Sequence, residues 1–156
     1  MFLIKLCEKL NREKISYALT GGWAVALHKI PRATFDVDVV IRLSSDNLEK
    51  IEQALKDLNL VSRLPIDSQS VFKFRDEYIN KKNLVAWSFH NPTRPSDIVD
   101  IIITDDLNEY DYEYIDVAKT RIPILTIKSL IKSKEKSKRP QDLEDIKWLK
   151  KMISTK

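Results

Sequence analysis

Two aspartates separated by a single valine are the residues of this chain best suited to chemistry. Asp36 and Asp38 lie in the apolar stretch FDVDVVI, where aspartate and valine alternate as in a β-strand. Alternate strand residues point to the same face with Cα atoms about 6.5 Å apart, so the two carboxylates would lie side by side. They repel each other unless a cation lies between them, and oxygen ligands of this kind suit Mg²⁺, which leaves room for substrate phosphates. The pair therefore predicts metal-assisted phosphoryl chemistry.

A third acid lies in a second apolar strand. Asp100 is embedded in DIVDIII, a costly place for a carboxylate unless it is paired or binds a metal. If the two strands are neighbours, Asp36, Asp38 and Asp100 converge on a two-metal site that clamps the attacking and leaving oxygens. The third acid can also take the proton from an attacking hydroxyl. Asp97 is out of phase with Asp100 and is expected to face the other side of the sheet.

The only two glycines of the chain, Gly21 and Gly22, stand between a predicted strand and a predicted short helix. Glycine tolerates backbone conformations and close approaches that other residues do not. A strand–turn–helix connection can also present backbone N–H groups to phosphate oxygens. The glycine pair precedes Asp36 by a gap of thirteen residues, so it is a candidate phosphate-binding turn beside the acids.

The elements that must position these residues follow from apolar periodicity. It predicts helices over 2–13, 23–29, 126–136 and 140–153, and an amphipathic helix that Ser45 or Asp46 caps. Strands are predicted over 15–20, 35–41, 71–74, 84–89, 97–103 and 122–125, with a charged turn over 75–82, a loop at 91–95 and an irregular connection over 105–117. The predicted fold class is α/β (α+β): a single domain over 1–156, with a mixed β-sheet flanked by helices and a helical C-terminal segment at about 126–153.

Composition argues against a membrane-spanning protein and shows where basic residues concentrate. One cysteine, Cys7, in an apolar helical pattern is expected to be a core residue, and no apolar run approaches the about 20 residues that span a membrane, so a cytoplasmic protein is expected. The net charge is +4, and basic residues concentrate near the C-terminus at Lys128, Lys132, Lys134, Lys136, Lys138 and Arg139. This run lacks interleaved aromatic residues, so we interpret it as a solvated surface. Trp23, Trp87 and Trp148 are expected in the core rather than as base-stacking platforms.

The pattern Gly21-Gly22, Asp36-Val37-Asp38 and a later Asp100 resembles the signature of the DNA polymerase β-like nucleotidyltransferase superfamily. The blocks GGWAVALHKIPRATFDVDVVI and LIKSKEKSKRPQDLEDIKWL are similar to its small bacterial branch. That branch comprises minimal nucleotidyltransferases, lincosamide-type antibiotic nucleotidyltransferases and the toxins of AbiE-like toxin–antitoxin systems. The resemblance implies that Asp36, Asp38 and Asp100 are catalytic and metal-binding, and that both glycines hold the nucleotide triphosphate.

The same resemblance assigns Arg32, Thr34, Lys134 and Arg139 to nucleotide binding. For Arg32 a carboxylate partner within the protein is an equal alternative, and Lys134 and Arg139 could line the nucleotide or the acceptor cleft. Asp142 and Asp145 are interpreted instead as acids at the positive end of the last helix, with Arg139 tied to one of them. His28 is expected to make a structural hydrogen bond.

Three residues depart from the family pattern. Lys29 and Lys138 stand where relatives usually carry glycine, so both turns are expected to differ in shape. Trp23 occupies a position where many superfamily members use a small hydroxyl residue that contacts phosphate. The acids themselves are intact, which argues against a dead enzyme.

These residues predict a Mg²⁺-dependent nucleotidyltransferase that moves a nucleoside monophosphate from an NTP to a hydroxyl and releases pyrophosphate. The acceptor is left open between RNA, protein and a small molecule, with a slight preference for RNA because the C-terminal region is basic. A partner protein or a homodimer could complete the acceptor site, and the chain could belong to a toxin–antitoxin pair. The alternative is an inactive regulatory module that binds a nucleotide or a partner.

Overall fold

A computed structural model describes residues 1–137 and 139–154, which form a seven-stranded mixed sheet with six α-helices and one 3₁₀ turn. The helices are α1 Phe2–Arg12, α2 Gly21–Leu27, α3 Ser45–Asp57, α4 Ser68–Lys82, α5 Ile127–Ser137 and α6 Pro140–Ser154, and the 3₁₀ turn is Leu107–Glu109. The strands are β1 Tyr17–Thr20, β2 Val37–Ile41, β3 Val61–Ser62, β4 Ala86–Asn91, β5 Arg94–Ile102, β6 Tyr112–Val117 and β7 Thr120–Leu125. The predicted α/β class with a mixed sheet is confirmed.

The middle of the sheet brings the residues of interest together. The strand order is β3-β4-β5-β2-β1-β7-β6, so β2 lies between β5, to which it is parallel, and β1, to which it is antiparallel. Asp38 is opposite Thr20 on β1 and opposite Asp100 on β5. The end of β1 leads directly into the glycines of α2. The expected adjacency of the two aspartate strands is therefore confirmed.

Apolar burial fixes these strands in place. The four apolar residues of β2 and Val99 and Ile101 of β5 are almost fully buried, and Cys7 of α1 is buried in the same core as predicted. Trp87 and Phe89 of β4 are fully buried as well, with ring centroids 4.8 Å apart. Such close packing resists displacement of the strands. Across the described ranges, 1–137 and 139–154, no helix has the length and apolar character to cross a membrane.

The segment 68–82 is a helix, so the strand predicted over 71–74 and the turn predicted over 75–82 are wrong. The alternation of apolar and polar residues in VFKF imitates a strand, but only Val71 of these four is buried. The helix begins because Asp67 accepts a hydrogen bond from Ser70 N, while Ser70 Oγ accepts one from Asp67 N. This reciprocal capping satisfies free N–H groups of the first turn and outweighs the local pattern.

Other boundaries also differ from the prediction. The connection 105–117 is not irregular, because its second half forms β6 at the edge of the sheet through antiparallel pairing with β7. β6 and β7 form a hairpin around Ala118 and Lys119, but β6 is largely exposed and lacks a clean alternation of apolar and polar residues, so it gives little periodic signal. The loop at 91–95 is a tight turn between β4 and β5. The cap of α3 is Ser44, which accepts a hydrogen bond from Asn47 N, rather than Ser45 or Asp46.

A buried asparagine ties the two central strands together. Asn47 accepts a hydrogen bond from Ser16 N and donates to the carbonyl oxygens of Ser16 and Arg42, at distances of 2.9–3.0 Å. Ser16 precedes β1 and Arg42 follows β2, so one side chain closes the end of the strand pair opposite to the glycine turn. Its side chain replaces the solvent that these backbone groups lose on burial.

We predict that Asn47→Ala lowers the free energy of unfolding by about 3 kcal/mol, because it leaves buried backbone groups without partners. Urea denaturation measured by circular dichroism tests this. Asn80→Ala is the matched control, since Asn80 is exposed on α4 and should change stability by no more than about 0.5 kcal/mol. Equal stability of the two variants would contradict the role of Asn47.

Candidate active site

Asp36 and Asp38 lie close enough to Asp100 for its charge to raise the pKa of both. Burial, the charge of Asp100 and the charge of Asp36 raise the pKa of Asp38 to about 7. Burial and the charge of Asp100 also raise the pKa of Asp36, which precedes β2. Asp97 lies elsewhere and lines a separate cavity with Asn91 and Arg94, as its phase on the strand predicts. The structure therefore brings together the three acids that the sequence singled out.

The donor set of these acids fits a hard divalent cation. Within the described residues, none of the three carboxylates forms an ion pair with a lysine or arginine. No group of three or more potential ligand side chains forms a ready-made metal cage in this part of the chain. Mg²⁺ does not require such a cage, because it is commonly bound by one or two carboxylates together with water and substrate phosphates. Clustered carboxylates without a cationic partner are therefore compatible with Mg²⁺.

Both glycines are required by close approaches in the site. Gly21 has a φ of +64°, and a Cβ added to it would lie 2.0 Å from Asp38 Oδ2. A Cβ on Gly22 would lie 2.7 Å from Thr34 Oγ1. The turn therefore packs directly against Asp38 and against the segment that leads to Asp36. A side chain at either position would displace a neighbour.

Two cavities meet at Asp38. The first has a volume of about 280 Å³ and lies on the side of Gly21, Lys134 and Lys136. The second has a volume of about 570 Å³ and lies on the side of Gly22, with Arg32, Thr34, Phe35, Asp36 and Asp100 in its wall. Arg139 and Asp142 line both cavities. Asp38 therefore stands between two spaces, while Asp36 and Asp100 line only the second.

Five charged residues lie beside the place where the two cavities meet. They are called the Lys134 cluster and comprise Lys134, Arg32, Arg139, Asp142 and Asp145. The buried Lys134 Nζ lies 3.0 Å from Asp145 Oδ2 and 3.5 Å from Asp142 Oδ1. Arg139 Nε lies 3.0 Å from Asp142 Oδ2, which confirms that Arg139 is tied to one of the helix acids. Arg32 Nε lies 3.5 Å from Asp145 Oδ1, so the alternative of a carboxylate partner within the protein is realised.

The Lys134 cluster is neutralised only in part. It contains three cations (Lys134, Arg32, Arg139) and two carboxylates, a difference of +1. Burial alone would raise the pKa of Asp142, but hydrogen bonds from Ser137 and Arg139 and the charge of Lys134 hold it below its ordinary value. Asp142 therefore stays ionised at neutral pH, and the remaining positive charge is available near both cavities.

Sequence reasoning missed the support that β4 gives to the third acid. Ser88 lies opposite Asp100, and its Oγ donates a hydrogen bond of 2.5 Å to Asp100 Oδ1. The carbonyl oxygen of Ser88 also accepts a hydrogen bond from Arg63 N, and the charge of Arg63 opposes the rise of the Asp36 pKa. A serine and an arginine in unrelated segments carry no motif, so only the pairing of β3, β4 and β5 reveals them.

Residues near the site divide between confirmed and wrong predictions. His28 Nε2 lies 2.8 Å from the carbonyl oxygen of Leu125, which is the expected structural hydrogen bond. Lys29 has a φ of 70°, so the turn adopts a glycine-like conformation despite the lysine. Trp87 is in the core, but Trp148 is 47% exposed, so its predicted core position is wrong. Lys138, the other departure from the family pattern, lies outside the described residues.

Comparison with known proteins identifies the fold. Neither known protein families nor curated protein sequences give a match to this chain. Among solved structures, the lincosamide antibiotic adenylyltransferase LnuA bound to lincomycin aligns with a TM-score of 0.65 and 16% identity over 96% of this chain and 94% of that chain. ANT(2″)-Ia in complex with adenylyl-2″-tobramycin gives 0.63 and 10% over 96% and 86%. A candidate nucleotidyltransferase from Thermotoga maritima gives 0.60 and 17% over 99% and 91%.

The chain therefore has a nucleotidyltransferase-like fold. Identities of 10–17% establish shared architecture, and this confirms at the level of the fold the resemblance predicted from the glycine and aspartate motifs.

We predict that Gly21→Ala destabilises the protein by about 1–3 kcal/mol, because alanine is strained at positive φ and its Cβ would collide with Asp38. Urea unfolding of a double-mutant cycle with Asp38→Ala separates the two causes. The cost of Gly21→Ala should be smaller in the Asp38→Ala background, where the collision is relieved. Identical costs in both backgrounds would show that Asp38 does not restrict Gly21.

Ser88→Ala is predicted to weaken the binding of Mn²⁺, a spectroscopic substitute for Mg²⁺, by roughly 10-fold, because Asp100 loses the hydrogen bond that orients it. Isothermal titration calorimetry without nucleotide measures this directly. Ser88→Thr keeps the hydroxyl and should bind as the wild type does. Ser96→Ala, at an exposed position on β5, is the control. Wild-type affinity in Ser88→Ala would rule out this positioning role.

Proposed function

We propose that this protein is a Mg²⁺-dependent nucleotidyltransferase that moves a nucleoside monophosphate from an NTP to a hydroxyl acceptor. The observation that carries the proposal is the convergence of Asp36, Asp38 and Asp100 beside the Gly21 turn, with a cavity on each side. The likeness of the fold to adenylyltransferases supports the class of reaction.

The three acids are the proposed metal ligands. Asp36 and Asp38, together with Asp100, would hold two Mg²⁺ ions. When bound, such ions neutralise phosphate charge and stabilise the attacking and leaving oxygens. Without a cation the carboxylates repel one another, which is consistent with the raised pKa of Asp38, about 7.

The proposed triphosphate site lies in the first cavity, next to Gly21, while Gly22 of the same turn borders the second cavity. Arg139 is the best-placed cation, because its side chain is 75% exposed and borders both cavities. Lys134 also borders the first cavity, but its Nζ is engaged by two carboxylates, so we propose that it acts by holding the Lys134 cluster in place. Arg32 and Thr34 would contact the substrates from the second cavity.

The proposed reaction is an in-line displacement. The acceptor oxygen attacks the α-phosphorus, and its proton passes to a carboxylate oxygen of Asp100. The bond between the α-phosphorus and the bridging oxygen breaks, and pyrophosphate leaves with that electron pair. Because Asp100 Oδ1 already accepts a hydrogen bond from the Ser88 hydroxyl, we propose that Oδ2 of Asp100 accepts the proton.

The extent of the domain, the acceptor, the partner and the biological setting are also proposals. We propose that residues 1–156 act as one domain. The acceptor could be RNA, a protein or a small molecule, and the two solved relatives bound to lincomycin and adenylyl-2″-tobramycin illustrate the small-molecule case. A partner protein or a second copy could complete the acceptor site, and a toxin–antitoxin role remains one biological setting for such an enzyme.

We predict that Asp100→Asn lowers transfer of label from α-labelled NTPs by about 10²–10⁴-fold, because the proton acceptor is lost. Asp36→Asn and Asp38→Asn should abolish transfer, as should EDTA, and excess Mg²⁺ should restore wild-type activity. The assay uses the purified protein with total cellular RNA, protein and metabolite fractions as acceptors.

Asp97→Asn is the matched control, since Asp97 is on the same strand as Asp100 but lines a different cavity. It should transfer label at the wild-type rate. Full activity of Asp38→Asn would refute the mechanism. Binding of NTP without transfer to any fraction would instead support the regulatory binding module.

A further inference from the structure

An exposed aromatic ring stands beside the acids in the second cavity. Phe35 immediately precedes Asp36 and is 78% exposed, and Val85, which is 51% exposed, belongs to the wall of the same cavity. By contrast, the four apolar residues of β2 and Val99 and Ile101 of β5 are almost fully buried. An accessible phenyl ring at the mouth of a reactive cleft is suited to stacking on a flat ring of a ligand.

The same cavity contains an unsatisfied positive group. Arg32 Nε is buried and makes no hydrogen bond, because its approach to Asp145 at 3.5 Å lacks hydrogen-bond geometry. Arg32 belongs to the Lys134 cluster, in which three cations face two carboxylates. The Arg32 side chain as a whole is 24% exposed, so the wall next to Phe35 carries accessible positive charge, which suits an anionic group of a ligand.

A second aromatic residue lies along the same chain segment. Lys29, Ile30 and Pro31 border a cavity of about 260 Å³ whose other wall includes Trp148 and Lys151. Trp148 is 47% exposed, and Lys151 Nζ lies 5.1 Å from its ring centroid. From Pro31 to Phe35 the chain spans at most about 14 Å. The segment thus connects two aromatic positions, each with a cation nearby.

Spaced aromatic rings flanked by cations are the arrangement by which proteins bind single-stranded nucleic acids, since bases stack on the rings and phosphates meet the cations. A small acceptor would occupy only one of the two positions, so the pair favours a polynucleotide. Thr34 and Gln141 add polar side chains to the cavity at Phe35, where they can meet a ribose 2′-hydroxyl. This arrangement therefore favours RNA.

We propose that the acceptor is the 3′ end of a single-stranded RNA that lies along the segment from Lys29 to Phe35. This inference rests on the proposed nucleotidyl transfer and specifies its acceptor. The terminal base stacks on Phe35, a phosphate faces Arg32, and the terminal 3′-hydroxyl lies at Asp100. An upstream base stacks on Trp148, where Lys151 faces the backbone. Transfer then lengthens the RNA by one nucleotide through a new phosphodiester bond.

Binding tests the subsite without requiring catalysis. The probe is a 5′-fluorescent RNA of about ten nucleotides with a free 3′-hydroxyl, measured by fluorescence anisotropy at low salt. Phe35→Ala and Trp148→Ala should each weaken binding by roughly 10-fold, and Phe35→Trp should preserve it. AMP, used as a competitor, should be affected by Phe35→Ala only, because a single nucleotide reaches one ring.

Phe72→Ala is the matched control, since Phe72 is 53% exposed but lies on α4 and borders neither aromatic position. It should bind RNA as the wild type does. Wild-type affinity in Phe35→Ala, an equal loss in Phe72→Ala, or equal affinity for single-stranded DNA of the same sequence would overturn the assignment.

An assay of nucleotidyl transfer provides the second test of the RNA acceptor. With labelled NTP and Mg²⁺, an RNA with a 3′-hydroxyl should gain label and an otherwise identical RNA with a 3′-phosphate should not. RNA binding that depends on Phe35 without any transfer would refute the proposed function and support the subsite. Transfer to a lincosamide in place of RNA would support the proposed function and overturn the RNA subsite.

Discussion

Asp38 and Asp100 are opposite partners on neighbouring parallel strands, and the packed core holds these like charges side by side. The strain is visible in the pKa of Asp38, which burial and the neighbouring acids raise to about 7. Keeping this group ionised above that pH costs on the order of a few kcal/mol, which a bound cation would relieve. Apolar burial of β2 and β5 supplies the stability that offsets this repulsion. The central strands therefore both lie in the packed core and carry the acids of the proposed chemistry.

Other parts of the site are arranged around that pair. Gly21 allows the turn after β1 to approach Asp38, where any side chain would collide. Ser88 of β4 orients Asp100 on the neighbouring strand β5 through a hydrogen bond. The Lys134 cluster joins the two C-terminal helices to Arg32 on the segment before β2. Removing one partner from such a buried network leaves an uncompensated charge, so the network holds the helices firmly against the cleft.

The charges of the cleft also explain how two anionic substrates could meet at three acids. The proposed metal ions would screen the carboxylates, while the Lys134 cluster contributes one net positive charge beside both cavities. Exposed Phe35 and Trp148 then add stacking surfaces that do not depend on charge. In the proposed function, this separation of roles would let the acids serve the reaction while other residues hold the substrates.

The sequence alone determined the elements and residues that local periodicity encodes. Alternation marked β2 and its acids, an apolar run with an embedded acid marked β5, helical spacing marked α1, α5 and α6, and the isolated glycine pair marked the turn at Asp38. Periodicity failed at α4, where a capping interaction outweighed a strand-like pattern, and at β6, an exposed edge strand whose apolar residues do not alternate cleanly. Only the tertiary structure decided that Ser88 holds Asp100, that Lys134 lies between two aspartates and that Phe35 and Trp148 lie along one segment. Such contacts join distant parts of the chain, and no spacing within a single segment can specify which surfaces meet when they pack.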